Sequence, residues 1–242
     1  SNVTPNTLTI TATELSPGKG IQKTQDVYLV IEQGFWGFTF TASPDTYKAV
    51  VGDSAIYEIL IRRTTCFTLP CSLALESGLP GGASYYFSPP TIPSGDSTSK
   101  LVVNSGTAPA GISNLIITGT ATAKAIKDTV VLVLQDFDVS SSPDSAFITQ
   151  GQSAGYGIIV TSLFGFAERC TLMVSGLPSL SNGVFDKNTL IPTDNSFFNI
   201  YTEPGTDTGW YDITITARMM TGTKSTVLEH SHIIVLRINE SS

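Results

Sequence analysis

The sequence predicts an all-β chain of two antiparallel β-sandwiches in tandem, preceded by an N-terminal β-hairpin. Three observations carry this. Apolar and polar residues alternate with a period of two over short stretches, as where Leu8, Ile10 and Ala12 alternate with threonines, the pattern of a half-buried strand. Clusters of Gly, Pro, Asp and Ser separate those stretches, and these are the residues that turns select. The chain also repeats itself at an offset of 98 or 99 residues, the signature of a modular architecture. No stretch carries a helical period.

Residues 1–34 read as the hairpin. "NTLTITATEL" at 6–15 and "DVYLVIEQ" at 26–33 flank the turn Ser16-Pro17-Gly18-Lys19-Gly20. Leu8 to Ala12 align with Ile213 to Ala217, and Val27, Leu29 and Ile31 align with Val130, Leu132 and Leu134. The hairpin therefore looks like the closing strands of a repeat whose earlier part is missing. A lone hairpin is marginal in water, so Leu8, Ile10, Val27, Leu29 and Ile31 are expected to form an interface. Three settings stay open: the remnant of a truncated module, a hairpin folded back on its own first domain, or strands added to a neighbouring subunit's sheet.

Residues 35–135 and 136–242 are the two full repeats. Ser43-Pro44-Asp45 returns as Ser142-Pro143-Asp144, and Gly52, Ser54, Ala55 and Tyr57 return as Gly151, Ser153, Ala154 and Tyr156. Ser77-Gly78-Leu79-Pro80 returns as Ser175-Gly176-Leu177-Pro178, and Ile117-Thr118-Gly119 as Ile215-Thr216-Ala217. In the first copy strands are expected near 37–43, 54–62, 71–77, 84–88, 98–104, 113–122 and 128–135, the spacing of an antiparallel sandwich. Alternation points Ala55, Tyr57, Ile59 and Ile61 inward, and likewise Ala154, Tyr156, Ile158 and Val160. The closing strands are apolar on both faces, as in Val131 and Val133 beside Leu132 and Leu134, or Ile233 and Val235 beside Ile234 and Leu236. Apolar stripes left outside mark interfaces; the plainer reading is cover by loops or by an adjacent domain.

Composition narrows the function. Hydrophobic residues make up 41% of 242 residues, so the chain can bury real cores. Charged residues are only 14%, against about 25% in ordinary soluble domains. A net charge of −7 without a basic cluster speaks against nucleic acid and anionic membrane surfaces as partners. Apolar runs such as Val130 to Leu134 are too short to insert into a bilayer. The chain opens at Ser1 without Met or a signal-peptide pattern, and is read as a processed or excised form.

Residues with chemical potential are few. Cys66 and Cys71 enclose Phe-Thr-Leu-Pro, a loop whose closure by a disulfide would stabilise by about 2 kcal/mol; the alternative is a pair of neighbouring reduced thiols. Cys170 aligns with Cys71 and is expected to be buried and inert. "GQSAG" at 151–155 matches the hydrolase Gly-x-Ser-x-Gly motif, but that motif works only at a strand-to-helix turn. Here a strand follows, so Ser153 is read as a turn residue and no catalytic residue is expected. His230 and His232 could ligate a metal only with a third ligand, so partial burial beside the core is preferred and no cofactor is expected. Asp136, Asp138, Glu32, Asp45 and Asp144 cluster near domain junctions, where carboxylates can bind Ca²⁺; solvated turns are the commoner cause. Sequons stand at Asn2 and Asn239.

The repeat motifs resemble those of the tandem immunoglobulin-like repeats of large secreted and cell-surface proteins of bacteria and archaea. The family pattern of Ser-Pro, Gly-x-Ser-Ala-x-Tyr and Ser-Gly-Leu-Pro covers residues 35–242. The first copy also carries its Phe87-Ser88-Pro89 and Pro109-Ala110-Gly111 turns; the second departs with Phe185-Asp186-Lys187 and Asp207-Thr208-Gly209. The resemblance implies immunoglobulin-like sandwiches outside the cell or on its surface. The expected function is a non-catalytic building block of a stalk, fibre or surface assembly, partnered through strand pairing by copies of itself or by adjacent modules. The rival expectation is a carbohydrate- or peptide-binding accessory module of a secreted hydrolase.

Overall fold

The computed structural model describes residues 6–13, 22–29, 37–64, 67–122, 124–220 and 227–241. They fall into two compact units, residues 1–39 with 62–68 and residues 40–61 with 69–242. In the first, β1 (Asn6–Thr13) and β2 (Gln22–Leu29) pair antiparallel, with Leu8 opposite Val27 and Asn6 opposite Leu29. In the same unit Thr64 N donates to Gly37 O at 3.0 Å, and the rings of Phe38 and Phe67 pack 5.3 Å apart.

Two sandwiches follow. The first uses β3 (Phe38–Ser43), β4 (Thr46–Val50), β5 (Ser54–Arg63), β6 (Cys71–Ser77), β7 (Ser84–Ser88), β8 (Thr91–Ile92), β9 (Thr98–Asn104) and β10 (Gly111–Ala121). Next comes β11 (Lys124–Ser142), which serves both. The second uses β12 (Ser145–Thr149), β13 (Ser153–Leu163), β14 (Cys170–Ser175), β15 (Ser181–Phe185), β16 (Thr189–Leu190), β17 (Asp194–Thr202), β18 (Gly209–Met219) and β19 (Glu229–Asn239). One sheet of the first sandwich runs β3-β5-β9-β7, and one of the second runs β12-β19-β18-β14-β16. The remaining strands form a continuous eight-stranded sheet, β15-β17-β13-β11-β10-β6-β8, with β4 paired to β11. No helix occurs among the described residues.

The alternation sets the cores. Ala55, Tyr57, Ile59 and Ile61 are buried in one, and Ala154, Tyr156, Ile158 and Val160 in the other. Each tyrosine reaches across its sandwich to the closing strand: Tyr57 Oη donates to Val131 O at 2.9 Å, and Tyr156 Oη to Val235 O at 3.0 Å. Burial raises both phenols, Tyr156 to about 12, so each remains a donor at neutral pH. The repeated Ser-Gly-Leu-Pro also acquires a cause. Gly78 and Gly176 sit at φ +92° and +83°, and a Cβ there would lie 1.8 Å from Asn114 O and 2.6 Å from Asp212 O. Only glycine fits such a left-handed close approach.

The strand expected at 128–135 does not stop at the end of the first repeat. β11 pairs with β10 through Lys124–Leu134 and with β4 through Val131–Gln135, then pairs with β13 from Asp136 to Ser142. Its buried positions switch from Val130, Leu132 and Leu134 to Phe137 and Val139. Successive residues in a strand point to opposite faces, so the strand offers even positions to the first core and odd positions to the second. Asp136 and Asp138 do not break it, because each accepts the following backbone N–H, from Phe137 at 2.8 Å and from Val139 at 2.9 Å. The junction is locked from both sides. Gln135 Nε2 donates to Phe164 O at 3.1 Å and Gly165 O at 2.6 Å, and Val50 joins the buried cluster of the second sandwich beside Phe137 and Phe166.

Candidate functional surfaces

The residues singled out in the sequence are dispersed. Leu8 and Ile10 lie on β1, and Val27 and Leu29 on β2, within one register of the hairpin; Ile31 lies outside the described residues, as do Asn2 and Glu32. Cys66 also lies outside them. Cys71 opens β6 with its side chain buried. Cys170 opens β14, fully buried, and burial together with the nearby charge of Glu168 raises its thiol to about 11. A thiol so rarely ionised is a poor nucleophile.

Ser153 opens β13, opposite Tyr201 on β17, so a strand and not a helix follows the Gly-x-Ser-x-Gly motif. His230 and His232 are half-buried on β19 and each meets one carboxylate. His230 Nε2 lies 2.8 Å from Asp136 Oδ1, and His232 Nε2 lies 3.0 Å from Asp144 Oδ1. The Asp144 carboxyl is held below its usual range by hydrogen bonds from Ser141 and His232. These pairs tie β19 to β11 and to the turn before β12. Among the described residues no three His, Cys, Asp or Glu side chains gather to hold a metal ion.

Two surface features mark the second sandwich. The first is an open groove of about 630 Å³ at Leu172, Val174, Gly183, Phe185 and Asp186. Asp186 Oδ1 accepts from Ser196 Oγ at 2.8 Å, Phe197 N at 2.7 Å and Lys187 N at 2.7 Å. These bonds lower the Asp186 carboxyl. Lys187 Nζ in turn pairs with Asp194 at 2.9 Å. The second is a cross-strand row on the outer face of β12-β19-β18. Trp210 stands edge-on to Phe147 at 5.6 Å, and the Arg237 guanidinium lies 5.5 Å from the Trp210 ring centroid. Trp210 and Phe147 are 61% and 65% exposed. Sequence reasoning missed this row. Its signal was a departure from the repeat: the matching positions of the first sandwich hold Ile112, Lys48 and Val133.

No protein-family model and no curated protein matches the chain. Among solved structures it is similar to the surface-layer protein SbsC, at 9% identity and a TM-score of 0.39, over 98% of this chain and 36% of that one. It is similar to the D0–D1 domains of intimin, at 14% identity and a TM-score of 0.29, over 82% of this chain and 97% of that one. It is also similar to an endo-fucoidan hydrolase of glycoside hydrolase family 107, at 11% identity and a TM-score of 0.35, over 98% of this chain. The chain spans about a third of that hydrolase, 34% of its length. The fold rests on the strand pairing itself, which is all-β and arranged as two sandwiches in tandem.

Proposed function

We propose that the chain is a non-catalytic structural protein of the cell exterior, a building block of a stalk, fibre or surface assembly. The observation that carries this reading is β11. One strand closes the first sandwich and opens the second without a linker, and Gln135 bonds the first to a loop of the second. Sandwiches joined through a shared strand resist bending, which a load-bearing row requires. The hairpin β1–β2 provides the linking element, pairing with copies of the chain or with adjacent modules. The low charge content suits the exterior. The test is light scattering on the variant carrying Ile10→Asp and Leu29→Asp. Loss of assemblies larger than a dimer, with both sandwiches still folded, supports the linking role; unchanged association refutes it.

One observation favours a second reading, a ligand-binding accessory module. The groove at Asp186 and Lys187 replaces the Ser88-Pro89 turn of the first sandwich with charged groups. Saturable binding of an oligosaccharide or peptide, abolished by Asp186→Ala with Lys187→Ala, would promote that reading over the structural one.

A further inference from the structure

The outer face of the β12-β19-β18-β14 sheet is patterned along five cross-strand rows. On β18 they are Trp210, Asp212, Thr214, Thr216 and Arg218; opposite them on β19 are Arg237, Val235, Ile233, Ser231 and Glu229. Ile233, in the central row, is 56% exposed. Arg237 marks one end of the β19 column and Glu229 the other, while Trp210 and Arg218 mark the ends of the β18 column. The equivalent face of the first sandwich differs at the row ends: they hold Ile112 with Val133 and Thr120 with Ala125, the central row holds Ile116 with Thr129, and Lys127, in the fourth row, already pairs with Glu76 of the same sheet at 2.6 Å. Two modules with the same core pattern thus differ on this face, so the fold itself does not require the charges at the row ends.

We propose that this face is an isologous interface that binds a second copy of the chain, deepening the assembly role on which it rests. In such an interface the same patch meets itself about a two-fold axis. An axis lying between the sheets and across the strands brings the first row of each copy over the fifth row of the other. Arg237 then faces Glu229 of the other copy, the Trp210 ring faces Arg218, Asp212 faces the Thr216 hydroxyl, and the two Ile233 side chains meet on the axis. An axis along the strands is the alternative. It also sets Trp210 against Arg237 and Arg218 against Glu229, but it places each Asp212 carboxylate on Val235 and each Ile233 on Thr214, leaving an acid without a partner on an apolar group. β18 and β19, which carry all five rows, span about 27 Å by about 10 Å from ordinary strand spacings. That is about 270 Å² in plane, well below the roughly 800 Å² per partner of a standard interface, so the contact is a weak dimer.

Sedimentation velocity on the full chain tests this, at concentrations up to about 1 mM so that a weak complex is populated. Circular dichroism confirms that each variant is folded. Ile10→Asp with Leu29→Asp is included as a background, so that failure of hairpin linkage and failure of this interface are separable: the dimer persists in that background. Ile233→Asp abolishes it. Arg237→Glu alone and Glu229→Arg alone each weaken it by about tenfold or more, since each creates two like-charge contacts per dimer. The double variant Arg237→Glu with Glu229→Arg restores it, because the swapped charges again face each other. A chain that stays monomeric throughout overturns the proposal. So does a dimer indifferent to the single reversals, which places the contact elsewhere, or a double variant that is not restored, which excludes this axis.

Discussion

Replacing Gln135 by Ala tests whether the two sandwiches are one mechanical body. The side chain gives both N–H groups of Nε2 to one loop, at Phe164 O and Gly165 O. A typical net contribution is about 0.5–1.5 kcal/mol per hydrogen bond. The side chain is only half-buried and the freed carbonyls can return to water, so the lower part of that range applies, giving about 1–2 kcal/mol in all. That corresponds to roughly a 5- to 30-fold change in an opening equilibrium. Hydrogen exchange followed by mass spectrometry reads it at the loop itself, for example at the Phe166 amide, which donates to Leu163 O. Gln135→Ala is expected to speed exchange across Leu163–Phe166 by that factor while leaving β6 and β9, far from the junction in sequence, unchanged. Gln135→Glu is expected to do more harm, since it sets a carboxylate against two carbonyl oxygens. Unchanged loop exchange in both variants would refute the argument that Gln135 couples the modules.

Other outcomes follow from the same physics. Tyr57→Phe and Tyr156→Phe should each cost about 1 kcal/mol in chemical denaturation, because each removes one buried hydrogen bond with little change of volume; sharply unequal costs would contradict the equivalence of the two sandwiches. Intact-mass analysis after alkylation under non-reducing denaturation tests the Cys66–Cys71 bridge expected from the sequence alone: one alkylated thiol, Cys170, supports it, and three defeat it. Asp186 has its carboxyl pKa lowered in the folded chain by Ser196, Phe197 and Lys187. Its contribution is therefore present above the ordinary carboxylate range and lost as pH falls through the lowered value. Exchange at the Phe197 amide should quicken as pH falls below about 4, after correction for intrinsic rates; Asp186→Asn should show the quickening already at neutral pH.

Much of the architecture was legible because both signals behind it are local. Strands expected at 71–77, 84–88 and 98–104 occur as Cys71–Ser77, Ser84–Ser88 and Thr98–Asn104, since alternation and turn residues fix them within a few positions. The inward residues were legible for the same reason. Two short strands were not. β4 and β8 hold few residues, and β4 forms by parallel pairing with β11, a non-local event that leaves little trace in a five-residue pattern. The junction misled because Asp136 and Asp138 look like turn residues, whereas each satisfies its neighbour's N–H within the strand. The doubled apolar faces were only partly a surface: Val133 is buried, while Ile233 stands exposed. The Phe147–Trp210–Arg237 row was invisible to motif reading because its members come from three separate strands. Comparing the two repeats position by position would have exposed it.

Negative-stain electron microscopy of the purified chain over a range of concentrations tests the central claim most directly, with the Ile10→Asp, Leu29→Asp variant beside it. A structural building block linked through its hairpin predicts concentration-dependent, multi-copy assemblies for the unmodified chain, and particles of no more than two copies for the variant. Particles that remain single chains at every concentration, or assemblies identical for both proteins, would contradict it.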